Sequence, residues 1–163
     1  MNEVRLGRHA ALRRLTVVLS VAYLGALALI AFWPAPVDRG VHGSLVSILA
    51  ALQRHGAPGW LTYTFVEFAA NIALFVPVGL LGVILVGARH WWIAIVAGLA
   101  ASFCIEFGQL IFLPARFATV NDIIANTFGA GVGAVAALGV IGLTHAWPSA
   151  GPRSPTARRL HTP

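Results

Sequence analysis

Nineteen consecutive residues, Leu15 to Trp33, carry no charge, and three more apolar runs follow at about Phe65–Val86, Trp91–Leu113 and Asn121–Leu143. A helix needs ~20 mainly apolar residues to cross the ~30 Å hydrocarbon core of a bilayer. Four such runs in 163 residues leave room only for short connections and two tails. The sequence therefore predicts an all-α fold: an integral membrane bundle of four transmembrane helices, with no substantial water-soluble domain. Composition agrees, because charged residues make up 10% of the chain against about 25% in soluble domains.

The charge that remains is unevenly placed. There are eleven Arg and no Lys; Arg5, Arg8, Arg13 and Arg14 precede the first run, and Arg153, Arg158 and Arg159 follow the last. A strongly basic balance can signal nucleic acid, but no aromatic–basic interleaving or reader motif accompanies it. Cations flanking apolar spans instead meet anionic headgroups, so the expected partner is the lipid bilayer and not nucleic acid. With four spans, the N-terminal segment, the 87–90 turn and the C-terminal tail share one side and eight Arg. The 34–64 and 114–120 loops share the other and carry Arg39, Arg54 and Arg116. The Arg-rich side, with both termini, is expected to be cytoplasmic.

The chain then divides into a basic cytoplasmic segment (1–14), a four-helix membrane domain (15–147) and a tail rich in Pro, Arg, Ser and Thr (148–163) that is expected to be disordered. The first run reads as a retained anchor, since it exceeds the usual ~7–15 apolar residues of a secretory signal and ends without a small-x-small site. Cys104, the single cysteine, cannot form an internal disulfide and reads as a small buried packing residue.

Between the first two spans, Leu45, Ile48, Leu49 and Leu52 recur at i, i+3, i+4 and i+7. Ser44 could cap such a helix, Gly56 could end it, and Pro58 blocks continuation. This predicts a short amphipathic helix in the first outer loop, lying on the membrane surface or packed over the bundle. Pro77 removes the donor for the Ala73 carbonyl and predicts a kink in the second span. Trp91 and Trp92 form an interfacial belt. Gly129 and Gly133, and Gly98 and Ser102, are small-xxx-small pairs that let helices approach closely, within one chain or, less often, between two copies.

Polar residues inside the spans are where chemistry would lie, since a charge at a helix centre costs about 2.5–3.5 kcal/mol on insertion scales. Glu67 and Asn71 share a face of the second helix, Glu106 and Gln109 of the third, and Asp122 and Asn126 of the fourth. All three pairs fall near the outer ends, level with Arg116. Glu67, Asp122 and Asn126 also have structural readings, as headgroup-zone residues, a helix N-terminal charge and interhelical glue. Glu106 lies ~10 Å below its helix end, where a carboxylate needs a polar cavity or a partner such as Arg116. The amides of Gln109 and Asn126 could fill its remaining lone pairs. The six His fall outside this cluster, and there is no HExxH; neither metal nor cofactor is expected.

The segment from Glu106 to Gly133, together with Glu67 to Gly79, resembles the signature of the VanZ-like family. The matching residues are Glu106 and Gln109, Arg116, Asp122 and Asn126, and Gly129 and Gly133. Many relatives carry a further acid between the Arg and the Asp, where this chain has Thr119 or Asn121. The resemblance spans roughly residues 15–145. It implies a multi-pass protein of the bacterial plasma membrane, from a family whose namesake is associated with low-level teicoplanin resistance.

Three function classes remain open. One is a binding or accessory protein that holds an anionic or lipid-linked envelope ligand, with Arg116 as anion partner. In that reading Glu67, Asn71, Glu106, Gln109, Asp122 and Asn126 complete the site. Another is a membrane-embedded enzyme with Glu106 and Asp122 as an acid–base pair. The third is a transporter half that would act as a homodimer.

Overall fold

The structure, a computed structural model, describes residues 2–33, 40–113 and 119–146. Its elements are α1 (Asn2–Ala31), α2 (His42–Arg54), α3 (Tyr63–Val86), α4 (Trp91–Phe112) and α5 (Val120–Ala146), with a 3-10 turn at Ala88–His90 between α3 and α4. Among the described residues every element is helical. Four stretches are long and apolar enough to cross a membrane: Ala10–Ala31, Tyr63–Val86, Ala88–Phe112 and Val120–Thr144. The expected four-span all-α architecture is therefore found.

The centre of the bundle is the pairing of α3 with α5, and glycine makes it. A Cβ at Gly79 would collide with the Ala130 carbonyl, one at Gly129 with the Ile72 carbonyl, and one at Gly133 with the Val76 carbonyl. Only a hydrogen lets these backbones come so close. Small residues continue the seam, with Ala125, Ala130 and Ala134 fully buried. Gly98 of α4 abuts the Ala130 side chain, so both small-residue pairs pack helices within the chain. At the other end of the bundle Val83, Ala94, Ala134 and Ala137 form a buried cluster.

The outer surface is apolar, as a lipid-facing surface must be: Val21, Leu29, Phe107, Val135 and Leu143 are all well exposed. Cys104 is exposed among them, which corrects the reading of it as a buried packing residue. In a bilayer an apolar side chain need not turn inward, because lipid tails are as apolar as the core.

Two boundaries also differ. The first spanning stretch begins at Ala10 and not at about Leu15, within a helix that already starts at Asn2, because Arg-rich sequence is a good helix former and the helix need not stop where the apolar run begins. α2 starts with Val41 at its N-cap position and has no side-chain cap, which places Ser44 inside the first turn. That end is exposed, where its free N–H groups can be solvated without a capping side chain. Gly56 has φ +97° just beyond α2, the left-handed conformation that favours glycine after a helix. Leu49 is buried, whereas Ile48 and Leu52 are about half exposed. One edge of α2 thus packs inward while another faces out.

α3 runs through Pro77 without interruption. Next to the carbonyl of Ala73, that of Leu74 accepts the Tyr23 hydroxyl at 2.7 Å, tying α1 to α3. The tail and most of the 114–120 loop, Arg116 included, lie outside the described residues.

Candidate functional site

The buried face of α4 is a stripe: Ala94, Gly98, Ser102, Glu106 and Gln109. It starts apolar against the α3–α5 seam and becomes polar toward the end that meets α1 and the start of α5. There the helices part around a cavity of about 780 Å³. Glu67 and Asn71 of α3, Glu106 and Gln109 of α4, and Asp122 and Asn126 of α5 all line it. Three helices thus bring six sequence-nominated residues to one chamber. Three of the five acids in the whole chain, Glu67, Glu106 and Asp122, are among them. The rest of the lining is largely apolar, with Leu27, Ile30 and Ala31 of α1, Val41 and Leu45 at α2, and Phe68, Leu74, Phe75 and Ile105 of α3 and α4.

The deepest members are well buried: Glu106 is 6% exposed, Gln109 7% and Asn126 5%. Asn71 and Asp122 are half-buried, and Glu67 is exposed at the rim.

Hydrogen bonds fix most of these groups, although not in the expected pairs. Asn71 Nδ2 donates to Asp122 Oδ1 at 2.6 Å, linking α3 to α5. The backbone N–H of Thr119 donates to Glu106 Oε2 at 3.0 Å, and the Thr119 hydroxyl accepts the Asp122 N–H at 3.2 Å. Thr119 thereby caps α5. In a capping box the acid three residues on would accept the cap residue's own N–H. Here Glu106 of α4 takes that role, and the carboxylate of Asp122 reaches Asn71 instead. Gln109 and Asn126 were expected to serve a buried carboxylate, and they do not. Gln109 Nε2 donates to the Ala31 carbonyl at 2.8 Å, and Asn126 Nδ2 to Ser102 Oγ at 2.9 Å. An amide can satisfy any nearby acceptor, and main-chain and hydroxyl oxygens stand closest.

Interhelical hydrogen bonds in membranes contribute about 0.6 kcal/mol on average. The glycine seam, not this polar network, therefore holds the bundle, and the network orients the chamber's walls. One atom is left over: Asn126 Oδ1 is buried with no hydrogen-bond partner among the described residues. Pairing of Arg116 with Glu106 or Asp122 falls outside the described residues. Among the described residues, no group of three or more His, Cys, Asp or Glu is arranged to hold a metal ion.

Two residues of the site escaped nomination. Thr119 was legible as the first member of a Thr-x-x-Asp spacing. Ser102 was legible as one turn from Glu106 on the same α4 face, although its small size suggested packing alone.

Four apolar spans around a chamber of mixed polar and apolar lining define a polytopic α-helical membrane protein. Within that class, the VanZ/LLP1 family description matches residues 20–142, and the chain belongs to this family. No curated protein and no solved structure matches it.

Proposed function

We propose that this VanZ/LLP1 member is a binding or accessory protein that holds an amphipathic molecule of the bacterial cell envelope. The single observation that supports this is the mixed lining of the chamber. A ligand's polar head would meet the carboxylates and amides of α3, α4 and α5, and its apolar part the apolar side chains that make up the rest of the lining. Pockets of roughly 300–1,000 Å³ suit small amphiphiles. The positive-inside bias puts the termini in the cytoplasm, so that the chamber opens toward the outer leaflet. Either an envelope lipid or a lipophilic glycopeptide would fit that setting, and retention of the latter would account for low-level teicoplanin resistance. Arg116 is assigned to any anionic part of the ligand on its chemistry alone.

The test is lipid-resolved mass spectrometry of the purified protein and its Glu106→Gln variant. A specific co-purifying lipid, diminished in the variant, is the expected result. Identical lipid profiles for the two proteins would count against the reading. A lipid chemically altered on incubation would favour the enzyme, in which Glu106 and Asp122, lining one chamber, exchange protons with a lipid-linked precursor.

A further inference from the structure

We infer that one edge of α2, formed by Val41, Leu45, Ile48 and Leu52, is seated in the lipid leaflet on its side of the membrane. These residues are spaced i, i+4, i+7 and i+11 and share one side of the helix. The Leu45 N–H donates to the Val41 carbonyl at 2.8 Å, so Val41 is already in helical register. Val41, Ile48 and Leu52 are each about half exposed. Gly43, Ser47, Ala50 and Arg54 have the same spacing and form a second stripe on the far side, small and polar, and all exposed. Val46 is the large apolar side chain of α2 on that far side.

The roll of α2 is fixed by contacts that fall between the two stripes. Leu49 is buried. The His42 ring meets the Tyr63 ring edge-on, with centroids 4.3 Å apart. Gln53 Nε2 donates to the carbonyls of Gly59 and Leu61 at 3.3 and 3.0 Å. The apolar edge is thus held outward by the fold.

The place of α2 in the chain says what covers that edge. The helix lies between a spanning stretch that ends at Ala31 and one that begins at Tyr63, so it sits at the membrane boundary. Trp60 and Phe65, both well exposed, stack edge-to-face at 4.8 Å beside it, and exposed aromatic rings gather at that boundary. A helix there buries its apolar side roughly 5–10 Å into the headgroup and acyl region and leaves its basic side among the headgroups. Arg54 is placed for the latter. A second copy of this chain fits the edge less well, because none of its four side chains is small enough to let two backbones approach closely. Val41 and Leu45 also line the chamber, so the α2 part of the chamber's rim borders lipid and not water.

Single cysteines in a Cys104→Ala background test this in the full-length protein. An environment-sensitive fluorophore is attached at Val41→Cys, Ile48→Cys or Leu52→Cys on one side, and at Val46→Cys, Ser47→Cys or Ala50→Cys on the other. Each protein is reconstituted in vesicles of phosphatidylethanolamine and phosphatidylglycerol. The first three should be quenched by nitroxide-bearing lipid and lose their sensitivity to aqueous iodide, and the second three should show the reverse. Val46→Cys matters most, since an effect of local hydrophobicity alone would make it follow the first group. Iodide quenching as strong at Ile48→Cys and Leu52→Cys as at Ser47→Cys and Ala50→Cys would overturn the inference, as would equal lipid quenching on both sides. Shielding from both quenchers, with disulfide-linked dimers of Ile48→Cys, would assign the edge to a second copy instead. Nitroxide side chains at the same positions, read by collision with oxygen and with a nickel chelate, repeat the comparison with a smaller label. None of these outcomes depends on whether the chamber holds a ligand.

Discussion

The Thr119 N–H points to Glu106 Oε2 at 3.0 Å, so a buried carboxylate of α4 anchors the residue that caps α5. One side chain thus sets both the depth of the chamber wall and the start of the next helix. The Thr119 hydroxyl accepts the Asp122 N–H, which makes it a working N-cap. Loss of such a cap costs about 1 kcal/mol. Thr119→Ala should destabilise the protein by roughly that amount in detergent, and Thr119→Ser should be nearly neutral. Thermal unfolding of the two variants side by side checks this, and equal melting would refute the cap.

Gly133 is buried against the Val76 backbone, whereas its neighbour Val132 is 40% exposed. Overpacking a tight interface costs about 1–3 kcal/mol where the surroundings can shift, and more where they cannot. Backbone cannot shift as a side-chain end can, so Gly133→Leu should prevent accumulation of folded protein. Val132→Leu should be mild. Membrane-fraction yield and monodispersity give the comparison, and similar tolerance of both would contradict the assigned face.

Topology is open to a direct chemical test, provided the native thiol is removed first, since Cys104 is exposed on α4. In a Cys104→Ala background, cysteine at Ser44 should react with an impermeant thiol reagent in intact cells, and cysteine at Ser154 should not. The opposite labelling pattern would reverse the orientation and move the chamber to the cytoplasmic leaflet.

Glu106→Gln keeps an acceptor for the Thr119 N–H and changes little volume, so it should stay folded and membrane-inserted. If the chamber binds a ligand, this variant and Arg116→Lys should nonetheless fail to complement a glycopeptide-sensitivity or envelope-stress phenotype at normal protein level. Full complementation by both would make these residues structural only, as buried ion pairs often are.

The spans, their neutral faces and the helix-facing role of Gly129 and Gly133 were legible because each depends on local sequence alone: run length, period and side-chain size. The convergence of Glu67, Glu106 and Asp122 was legible too, because alternating span direction puts these helix ends on one side. Who bonds to whom was not. Gln109 and the Ala31 carbonyl are 78 residues apart, and no spacing rule predicts that a side-chain amide will choose a main-chain oxygen over a carboxylate. Cys104 was misplaced for a related reason: burial rules learned in water invert on a surface facing lipid.

α1 is fastened to the bundle by the Tyr23 hydroxyl on the Leu74 carbonyl and by Gln109 on the Ala31 carbonyl. Both acceptors belong to the main chain, which every residue type possesses. The two sides of each fastening are therefore unequal in what they demand of the genetic message. Positions 31 and 74 can change side chain and still offer the same oxygen, within the limits of space, while positions 23 and 109 have few substitutes. Redesign of the α1 and α3 chamber walls toward another ligand can thus proceed at Ala31 and Leu74 without unfastening the helix that closes it.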